Sequence, residues 1–375
     1  MKNLIYVAYS EMDETDGIYK KIVSQCIAFD LLGYKTYLYV IKNHEKFVLY
    51  RIDQGKIIEE KLIERKKTKM KSFLRKKILQ KDFLNSSIDI IKEKNIEYVY
   101  IRKLPLSKMF LQSLKKIKNC CEKVVCEIPT YPYYDELKNM NKWQNLIIEK
   151  LNFIEFTNSV DNITVILSKD INLNNKFIKI QNGIPKGEYK ISKSNYNNKK
   201  LNLLGLGYIY NYHGYDRVLK GISEFNKIKN NNLEINFHIV GDGPEINNLK
   251  KITNQLNLQK NVIFYGTKSG IELDEIFDFC NIGIGSLGIH RKNAEIDTSI
   301  KIKEFAFRGL PFIISGNNDY DLPNTMKKVE ANDKPINMNE IILFYKSLKN
   351  INYKKELREY SEKNFKWEKI LNEVF

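Results

Sequence analysis

Short apolar runs with the character of β-strands alternate with helical patterns along almost the whole chain, and this feature constrains the fold most. The strand-like runs of the first half are residues 4–8, 36–41, 98–101, 124–127, 163–167 and 178–180. Those of the second half are residues 201–206, 235–240, 262–265, 282–284 and 311–314. Because right-handed crossovers place helices on both faces of a parallel sheet, the alternation predicts an α/β fold. A hairpin-like insert, residues 46–60, has its turn at residues 53–55.

A polar segment rich in lysine and asparagine interrupts the alternation at residues 185–200. We interpret residues 186–200 as a linker between a first domain, residues 1–185, and a second domain, residues 201–350. Residues 351–375 are helical in pattern and either cap the second domain or cross back to the first. The predicted architecture is two doubly wound, Rossmann-like domains facing across a cleft, with ligands at the carboxyl ends of the strands.

Composition and missing motifs exclude several classes of protein. At about 150 residues per domain, 375 residues fit two domains, and no run approaches the roughly 18–20 apolar residues of a membrane span. The start of the chain has the pattern of a first strand rather than of a signal peptide. Five cysteines without a CxxC pair argue against a disulfide framework or structural zinc and favour a reducing cytoplasm. Motifs for dinucleotide, P-loop, zinc-hydrolase or metal-bridged diphosphate sites are missing from the sequence.

The net charge of +17 is concentrated in one place. Residues 61–81 contain ten Lys or Arg and a single acid, Glu64, with apolar residues at helical spacing between them. One interpretation is a basic amphipathic helix on an anionic membrane, and the other is a solvated helix packed on its domain. Without a recognised motif, nucleic acid is the less favoured partner. The residues predicted to face a membrane are Lys66, Lys67, Lys71, Arg75 and Lys76.

Chemistry-bearing residues are concentrated in the second half. Glycines follow its strands at Gly207, Gly241 and Gly266, where they let the backbone approach a ligand. A basic loop at residues 288–292 then leads to a cap and a helix that carries Lys301 and Glu304. Such a helix start can hold a diphosphate through its backbone N–H groups and nearby cations. Glu304 accepts two sugar hydroxyls in one interpretation and pairs with Lys301 or Arg308 in the other.

Five segments together resemble the C-terminal domain of the retaining GT-B glycosyltransferases of family 4. They occur in order across residues 201–315: HGYDRVLKGISEF, HIVGDGPE, VIFYGTKSG, SLGIHRK and SIKIKEFAFRGLPFIIS. The first half is similar in layout, with LSKDIN and IQNGIPK near its end. The resemblance implies a UDP- or GDP-linked sugar donor held mainly by the second domain and an acceptor held mainly by the first. It implies no resident cofactor and no metal ion.

The resemblance also implies roles for individual residues. Glu304 corresponds to the glutamate that binds the donor ribose, and Gly17 to the glycine that leaves room for donor and acceptor. The remaining donor-binding residues that it implies are Ser299, Ile300, Lys301, Gly266, Thr267, Gly207, His213 and Lys292.

The sequence departs from the family pattern in two places. Ile296 stands where members often have a first glutamate, and Tyr208 and His213 replace a basic pair. We therefore expect Arg217, or a mobile loop containing His290, Arg291 and Lys292, to supply the missing catalytic cation.

The expected activity is metal-independent, retaining transfer of a hexose to a hydroxyl of a glycan acceptor. That acceptor is expected to be lipid-linked, for cell-surface polysaccharide, at the cytoplasmic face of the cell membrane. Two alternatives remain open: a non-catalytic partner subunit of a glycosyltransferase, and a nucleotide-sugar epimerase of the same fold.

Overall fold

The computed structural model describes residues 1–11, 17–43, 46–63, 72–139, 142–187, 189–228, 232–318, 320, 322 and 324–375. The chain forms two compact units. The first unit consists of residues 1–167, 171–186 and 366–375, and the second of residues 168–170 and 187–365. Both are α/β layers built around a mainly parallel sheet, as the strand–helix alternation predicts.

The strands are β1 (Asn3–Glu11), β2 (Lys35–Lys42), β3 (Lys46–Asp53), β4 (Lys56–Ile63), β5 (Tyr98–Arg102), β6 (Lys123–Tyr131), β7 (Asn162–Leu167), β8 (Phe177–Ile180), β9 (Lys200–Leu206), β10 (Glu234–Val240), β11 (Val262–Gly266), β12 (Ile282–Ile284), β13 (Phe312–Ser315) and β14 (Met326–Val329). The helices are α1 (Gly17–Leu31), α2 (Ser72–Glu93), α3 (Lys108–Lys118), α4 (Tyr134–Asn139), α5 (Trp143–Asn158), α6 (Tyr215–Asn226), α7 (Ile246–Gln255), α8 (Gly270–Phe279), α9 (Ile300–Phe307), α10 (Met338–Ser347), α11 (Tyr353–Asn364) and α12 (Trp367–Ile370).

The first unit has an eight-stranded sheet in the order β4-β3-β2-β1-β5-β6-β7-β8. Residues 4–8 of its central strand β1 are buried on both faces, which is the environment of a parallel strand covered by helices. The strands β2, β3 and β4 pair antiparallel. The hairpin turn predicted at residues 53–55 is confirmed, with positive φ at Gln54 (49°) and Gly55 (73°) as a tight hairpin turn requires.

The last ten residues belong to the core of the first unit. Trp367, Leu371 and Val374 pack in the same apolar cluster as Cys26 of α1. The ring of Phe375 stacks on Tyr98, with centroids 5.1 Å apart. By contrast, α11 lies in the second unit, where it contacts α9. The predicted single segment 351–375 is therefore divided between the two units.

The second unit has a six-stranded parallel sheet in the order β11-β10-β9-β12-β13-β14. The edge strand β14 has no counterpart among the predicted strands, because its sequence, MKKV, is short and polar. The segment predicted as a linker is part of this unit from residue 187 onward. Its short polar side chains make specific hydrogen bonds: Ser192 Oγ donates to the carbonyl oxygen of Phe277 (2.6 Å), and Asn197 N donates to the Tyr345 hydroxyl (2.7 Å).

The order of strands in the second unit reverses beside β9. This strand pairs with β10 on one side and with β12 on the other, so the chain leaves it in one direction and returns on the opposite side. Ligands of open α/β sheets bind at the carboxyl ends of the strands that flank such a switch point. In this unit those ends are Leu206 and Ile284.

Candidate functional site

Tyr215, the first residue of α6, links the two strand ends at the switch point. Its buried hydroxyl accepts a hydrogen bond from Leu206 N (3.0 Å) and donates to the carbonyl oxygen of Ile284 (3.3 Å). The ring packs edge-on against Phe237 in the core, with centroids 5.2 Å apart. The site is therefore built on rigid elements of the sheet rather than on a long loop.

Lys301 brings a positive charge to this point. It is the second residue of α9, its side chain is buried, and its Nζ donates to the Tyr215 hydroxyl (3.3 Å). Burial lowers the pKa of Lys301 to about 7, with the charge of Lys292 adding to the effect and that of Asp297 opposing it. Among the described residues, no carboxylate lies within 4 Å of this ammonium group. A buried cation without a contacting counter-ion is a candidate site for an anionic ligand.

Buried polar atoms without partners accompany Lys301. Among the described residues, His213 Nδ1, Ser286 Oγ and Ser299 Oγ are buried and make no hydrogen bond. Asp297 connects the two serines, because its Oδ2 accepts from Ser286 N (3.1 Å) and its Oδ1 from Ser299 N (3.0 Å). Buried polar atoms are rarely left unpaired in proteins, so unpaired ones beside a buried lysine suggest a ligand with oxygen acceptors.

The imidazole of His213 is neutral in this environment. Burial lowers its pKa far below the usual range, and the nearby charges of Lys301 and Lys292 lower it further. Its position is set by backbone bonds, since Leu287 N donates to the His213 carbonyl oxygen (3.0 Å). His213 can therefore pair with a ligand through a neutral ring nitrogen, but it adds no positive charge to the site.

Two glycines shape the entrance of the site. Gly207 follows β9 with a φ of 116°, and a Cβ added there would have open space around it. Its backbone is thus accessible to a ligand at the strand end. Gly214 has a φ of 66°, and a Cβ at that position would lie 2.8 Å from Gly288 N. This close approach joins the turn before α6 to the turn before residues 289–292.

The structure gives Arg291 carboxylate partners rather than leaving it available for a diphosphate. Residues Ile289–Lys292 form a 3-10 turn, and Arg291 binds Asp216 with two hydrogen bonds (2.8 and 3.0 Å). It also lies 2.7 Å from Asp333, which in turn lies 3.1 Å from His290 Nε2. The predicted mobile basic loop is corrected to a turn held by ion pairs. The sequence does not reveal this, because Asp216 and Asp333 lie far from Arg291 along the chain.

Arg217 is also occupied by protein groups. Its side chain is buried, and its guanidinium donates to the carbonyl oxygens of Lys334 (2.7 Å), Glu330 (2.9 Å) and Leu287 and to Asn332 Oδ1 (2.9 Å). This arrangement anchors residues 330–334, and it engages the guanidinium that the sequence offered as a catalytic cation. Lys292, whose charge lowers the pKa of Lys301, has its Nζ 4.6 Å from the Tyr212 ring centroid.

Glu304 lies one turn after Lys301 on α9. Its Oε1 accepts from Arg308 Nε (3.0 Å), and Arg308 also pairs with Asp274 (2.6 Å). This ion pair with Arg308 is the alternative role that the sequence predicts for Glu304. Gly266 ends β11 with a φ of 67°, and Thr267 after it is exposed. Ile300 begins α9, directly after the cap residue Ser299.

The first unit contains a buried charged cluster on its sheet, between β1, β5 and β6. Arg102 of β5 and Glu127 of β6 are paired residues in the sheet register. Glu127 lies 2.6 Å from Lys21 Nζ and 3.8 Å from Arg102, and it accepts from the Tyr6 hydroxyl (2.6 Å). Burial would raise the pKa of Glu127, but Lys21 and Arg102 lower it to about 2, so the carboxylate stays ionised. Gly17 begins α1, the helix that carries Lys21.

The predicted membrane-facing residues fall only partly within the described chain. Lys66, Lys67 and Lys71 lie outside the described residues, whereas Arg75 and Lys76 are exposed in the first turns of α2. Within the described ranges, no helix combines the length and apolar character needed to cross a membrane.

Comparisons with known proteins address the fold and the second unit. A family profile described as "Glycosyl transferases group 1" matches residues 188–284, the part of the second unit that includes Gly207, His213 and Gly266. A search of curated protein sequences finds no significant match.

Solved structures are similar over nearly the whole chain. A glycosyltransferase from Rickettsia africae ESF-5 superposes with a TM-score of 0.62 at 14% identity, covering 100% of this chain and 97% of that one. The lipopolysaccharide outer core galactosyltransferase WaaB gives 0.60 at 10% identity, covering 99% and 98%. A pneumococcal O-GlcNAc transferase, GtfA, in complex with UDP and GlcNAc gives 0.52 at 11% identity, covering 100% and 98%. The predicted fold class is thus confirmed: the chain has the GT-B fold, with two Rossmann-like units built on parallel sheets.

Proposed function

We propose that this protein is a glycosyltransferase that transfers a sugar from a nucleoside diphosphate donor to a hydroxyl group of an acceptor. The observation that carries the proposal is the buried polar cluster at the switch point of the second unit, defined by Lys301, His213, Ser286 and Ser299. It places a cation and unpaired polar atoms at the N-terminus of α9, which is an arrangement suited to phosphate oxygens. The family match in the same unit and the GT-B fold support this assignment.

The cluster stabilises the charge that develops on the departing diphosphate. The backbone N–H group of Ile300 and the ammonium of Lys301 act on it, and Lys292 adds a second positive charge. Such preorganised donors reduce the barrier because they need no reorganisation during the reaction. A bound phosphate also raises the pKa of Lys301 again, so the lysine takes up a proton when the donor binds.

The finer features of the proposed activity follow the family resemblance. Glu304 binds the ribose hydroxyls, Gly266 and Thr267 border the base, and Gly207 lets the diphosphate approach. The donor is a UDP- or GDP-linked hexose, transferred with retention of configuration and without a metal ion or resident cofactor. The acceptor is a lipid-linked glycan for cell-surface polysaccharide, held by the first unit near Gly17 at the cytoplasmic face of the membrane.

A non-catalytic partner subunit is the second candidate function. It is favoured by one observation, that the guanidinium groups of Arg217 and Arg291 are both occupied by protein groups, which leaves the cluster with lysine cations alone. A nucleotide-sugar epimerase of the same fold is the third. A purified enzyme of the proposed kind slowly hydrolyses its nucleotide sugar, a partner subunit does not, and an epimerase releases an isomerised nucleotide sugar.

A thermal-shift screen with UDP, GDP, ADP and CMP tests the proposal. A nucleotide at 100 times its Kd stabilises the protein by about 2.7 kcal/mol, which is readily measured. We expect UDP or GDP to raise the Tm of the wild-type protein clearly more than that of a Lys301→Met variant. Stabilisation by none of the diphosphates would contradict the proposal, and so would equal stabilisation of the variant.

A further inference from the structure

The helix α5 of the first unit presents an apolar stripe to solvent. Trp143, Ile147, Leu151 and Ile154 recur at spacings of four and three residues and therefore share one helix face. All four are exposed, Leu151 at 76% and Ile154 at 75%. Single exposed apolar residues are ordinary, but four along one helix face form a continuous patch of the kind that marks an interaction surface.

Another face of α5 packs against the first unit. Leu146 and Phe156 are buried in the unit, and so is the carboxylate of Glu149. That carboxylate accepts from Leu106 N (2.9 Å) and the Tyr133 hydroxyl (2.6 Å) and pairs with Lys103 (2.8 Å). The apolar stripe is therefore additional to the core of the first unit rather than part of it.

Exposed lysines accompany the stripe on α5 and on the neighbouring helix α3. The helix α3 lies beside α5, since Lys115 of α3 pairs with Glu155 (2.7 Å). Asn152 Nδ2 of α5 also donates to the carbonyl oxygen of Leu106 (2.6 Å), just before α3. The exposed lysines of the two helices are Lys108, Lys115, Lys116 and Lys150, and the N-cap residue of α5, Lys142, is exposed as well. The two acids of α5, Glu149 and Glu155, are both paired with lysines. The surface thus combines an apolar stripe with a net positive rim.

We propose that this surface, the exposed faces of α5 and α3, docks on an anionic lipid bilayer with the apolar stripe inserted at the level of the headgroups. An amphipathic helix with a basic rim binds such a surface through apolar burial and electrostatic attraction together. Trp143 at one end of the stripe has the side chain that is enriched at membrane interfaces. The surface is separate from residues 61–81, and it does not depend on the proposed function of the second unit.

A second copy of the chain is the less fitting occupant. Two copies meeting through this surface would bring lysines against lysines, and neither acid of α5 is left to pair with them. Like charges at an interface oppose association, whereas anionic lipids supply the complementary charge.

Binding of the full-length protein to vesicles of phosphatidylglycerol and phosphatidylcholine tests the proposal, with pure phosphatidylcholine for comparison. We expect binding to the anionic vesicles that weakens steeply as salt is added. A Leu151→Gln/Ile154→Gln variant should bind at least tenfold more weakly. The matched control is Ile271→Gln/Leu343→Gln, which changes residues of similar exposure (70% and 66%) in the second unit and should bind like the wild type. Circular dichroism establishes that all three proteins are folded.

Tryptophan fluorescence shows which surface meets the lipid. Trp143 is exposed and Trp367 is buried, so a blue shift on vesicle binding and quenching by brominated lipid report on Trp143 and vanish in Trp143→Phe. The proposal is overturned if wild-type protein ignores anionic vesicles at low salt or if the control variant loses as much binding. It is also overturned if changing the lysines and arginines of residues 65–77 to glutamine abolishes binding while the α5 variant retains it. Dimerisation without lipid that the α5 variant prevents would identify a second copy as the occupant instead.

Discussion

Two buried charges, Glu127 in the first unit and Lys301 in the second, have opposite surroundings. In the first unit, the buried carboxylate of Glu127 lies 2.6 Å from Lys21 and accepts a hydrogen bond from Tyr6. In the second, the buried ammonium of Lys301 contacts only a neutral hydroxyl among the described residues, that of Tyr215 at 3.3 Å. A buried charge that is paired with an opposite charge stabilises the structure, because removing one partner leaves the other buried without a counter-ion. A buried charge without a counter-ion can still attract a ligand of opposite charge. This difference distinguishes a structural cluster from a binding site.

Glu127→Gln should have the largest effect, and on stability. It leaves Lys21 and Arg102 buried without their carboxylate, which costs about 3–5 kcal/mol in the free energy of unfolding. Both tryptophans, Trp143 and Trp367, lie in the first unit, so urea unfolding followed by tryptophan fluorescence measures this unit.

Glu155→Gln is the matched control for that experiment. It breaks an exposed pair with Lys115 and should cost no more than about 1 kcal/mol. A Glu127→Gln protein as stable as this control would mean that the cluster around Glu127 is not structural, and the contrast between the two units would fail.

Lys301→Met should have the opposite effect: the protein should remain as stable as the wild type but bind nucleoside diphosphates more weakly. Methionine removes a poorly paired buried ammonium, so the free energy of unfolding should stay equal or rise. Loss of a charge-assisted bond to phosphate, worth roughly 1.5–3 kcal/mol, should weaken nucleoside diphosphate binding at least tenfold in a calorimetric titration.

Lys303 provides the control two residues along the same helix. Its buried Nζ lies 4.0 Å from the Tyr320 ring centroid and 3.8 Å from that of Phe365. Because aromatic rings accommodate this cation, Lys303→Met should lose stability and keep nucleotide affinity. The reverse pattern, with Lys303→Met losing nucleotide and Lys301→Met retaining it, would place the ligand elsewhere on α9.

Glu304→Gln should have a smaller effect on binding. It keeps the shape of the side chain but removes the charge-assisted hydrogen bonds proposed for the ribose, so nucleotide affinity should fall about tenfold. Asp274→Asn is the control, because Asp274 pairs with the same arginine, Arg308. If both variants weaken binding equally, the effect passes through Arg308, and Glu304 has the structural role of an ion pair on α9.

Local sequence patterns predicted most of the fold. Every predicted strand corresponds to a strand of the structure, because alternating apolar runs and helical patterns are properties of short windows. The edge strand β14 was not predicted, because its four residues, MKKV, are too few to show a clear alternation of apolar and polar side chains. The role of residues 366–375 also depends on distant contacts, as Phe375 stacks on Tyr98 nearly three hundred residues earlier.

The candidate site was predictable where it rests on local features and not where it rests on long-range pairing. The glycine at the end of β9 and the start of α9 are visible as strand–glycine and cap–helix patterns. The ion pairs of Arg291 with Asp216 and Asp333 are not visible in the sequence, because they depend on which carboxylates the tertiary fold brings near the guanidinium group. A sequence rich in arginine and lysine contains many candidate cations for a ligand site. Only the packed structure shows which of them lacks a carboxylate partner.

The pH dependence of nucleotide binding tests the assignment of the phosphate site most directly. The pKa of Lys301 is lowered to about 7 in the folded protein, and a phosphate binds its protonated form. Affinity for UDP or GDP should therefore fall about fivefold between pH 7 and pH 8, whereas Lys301→Arg, which stays protonated, should show no such fall. A wild-type affinity that follows the same pH profile as the arginine variant would contradict the account, because the buried lysine would then not meet the diphosphate.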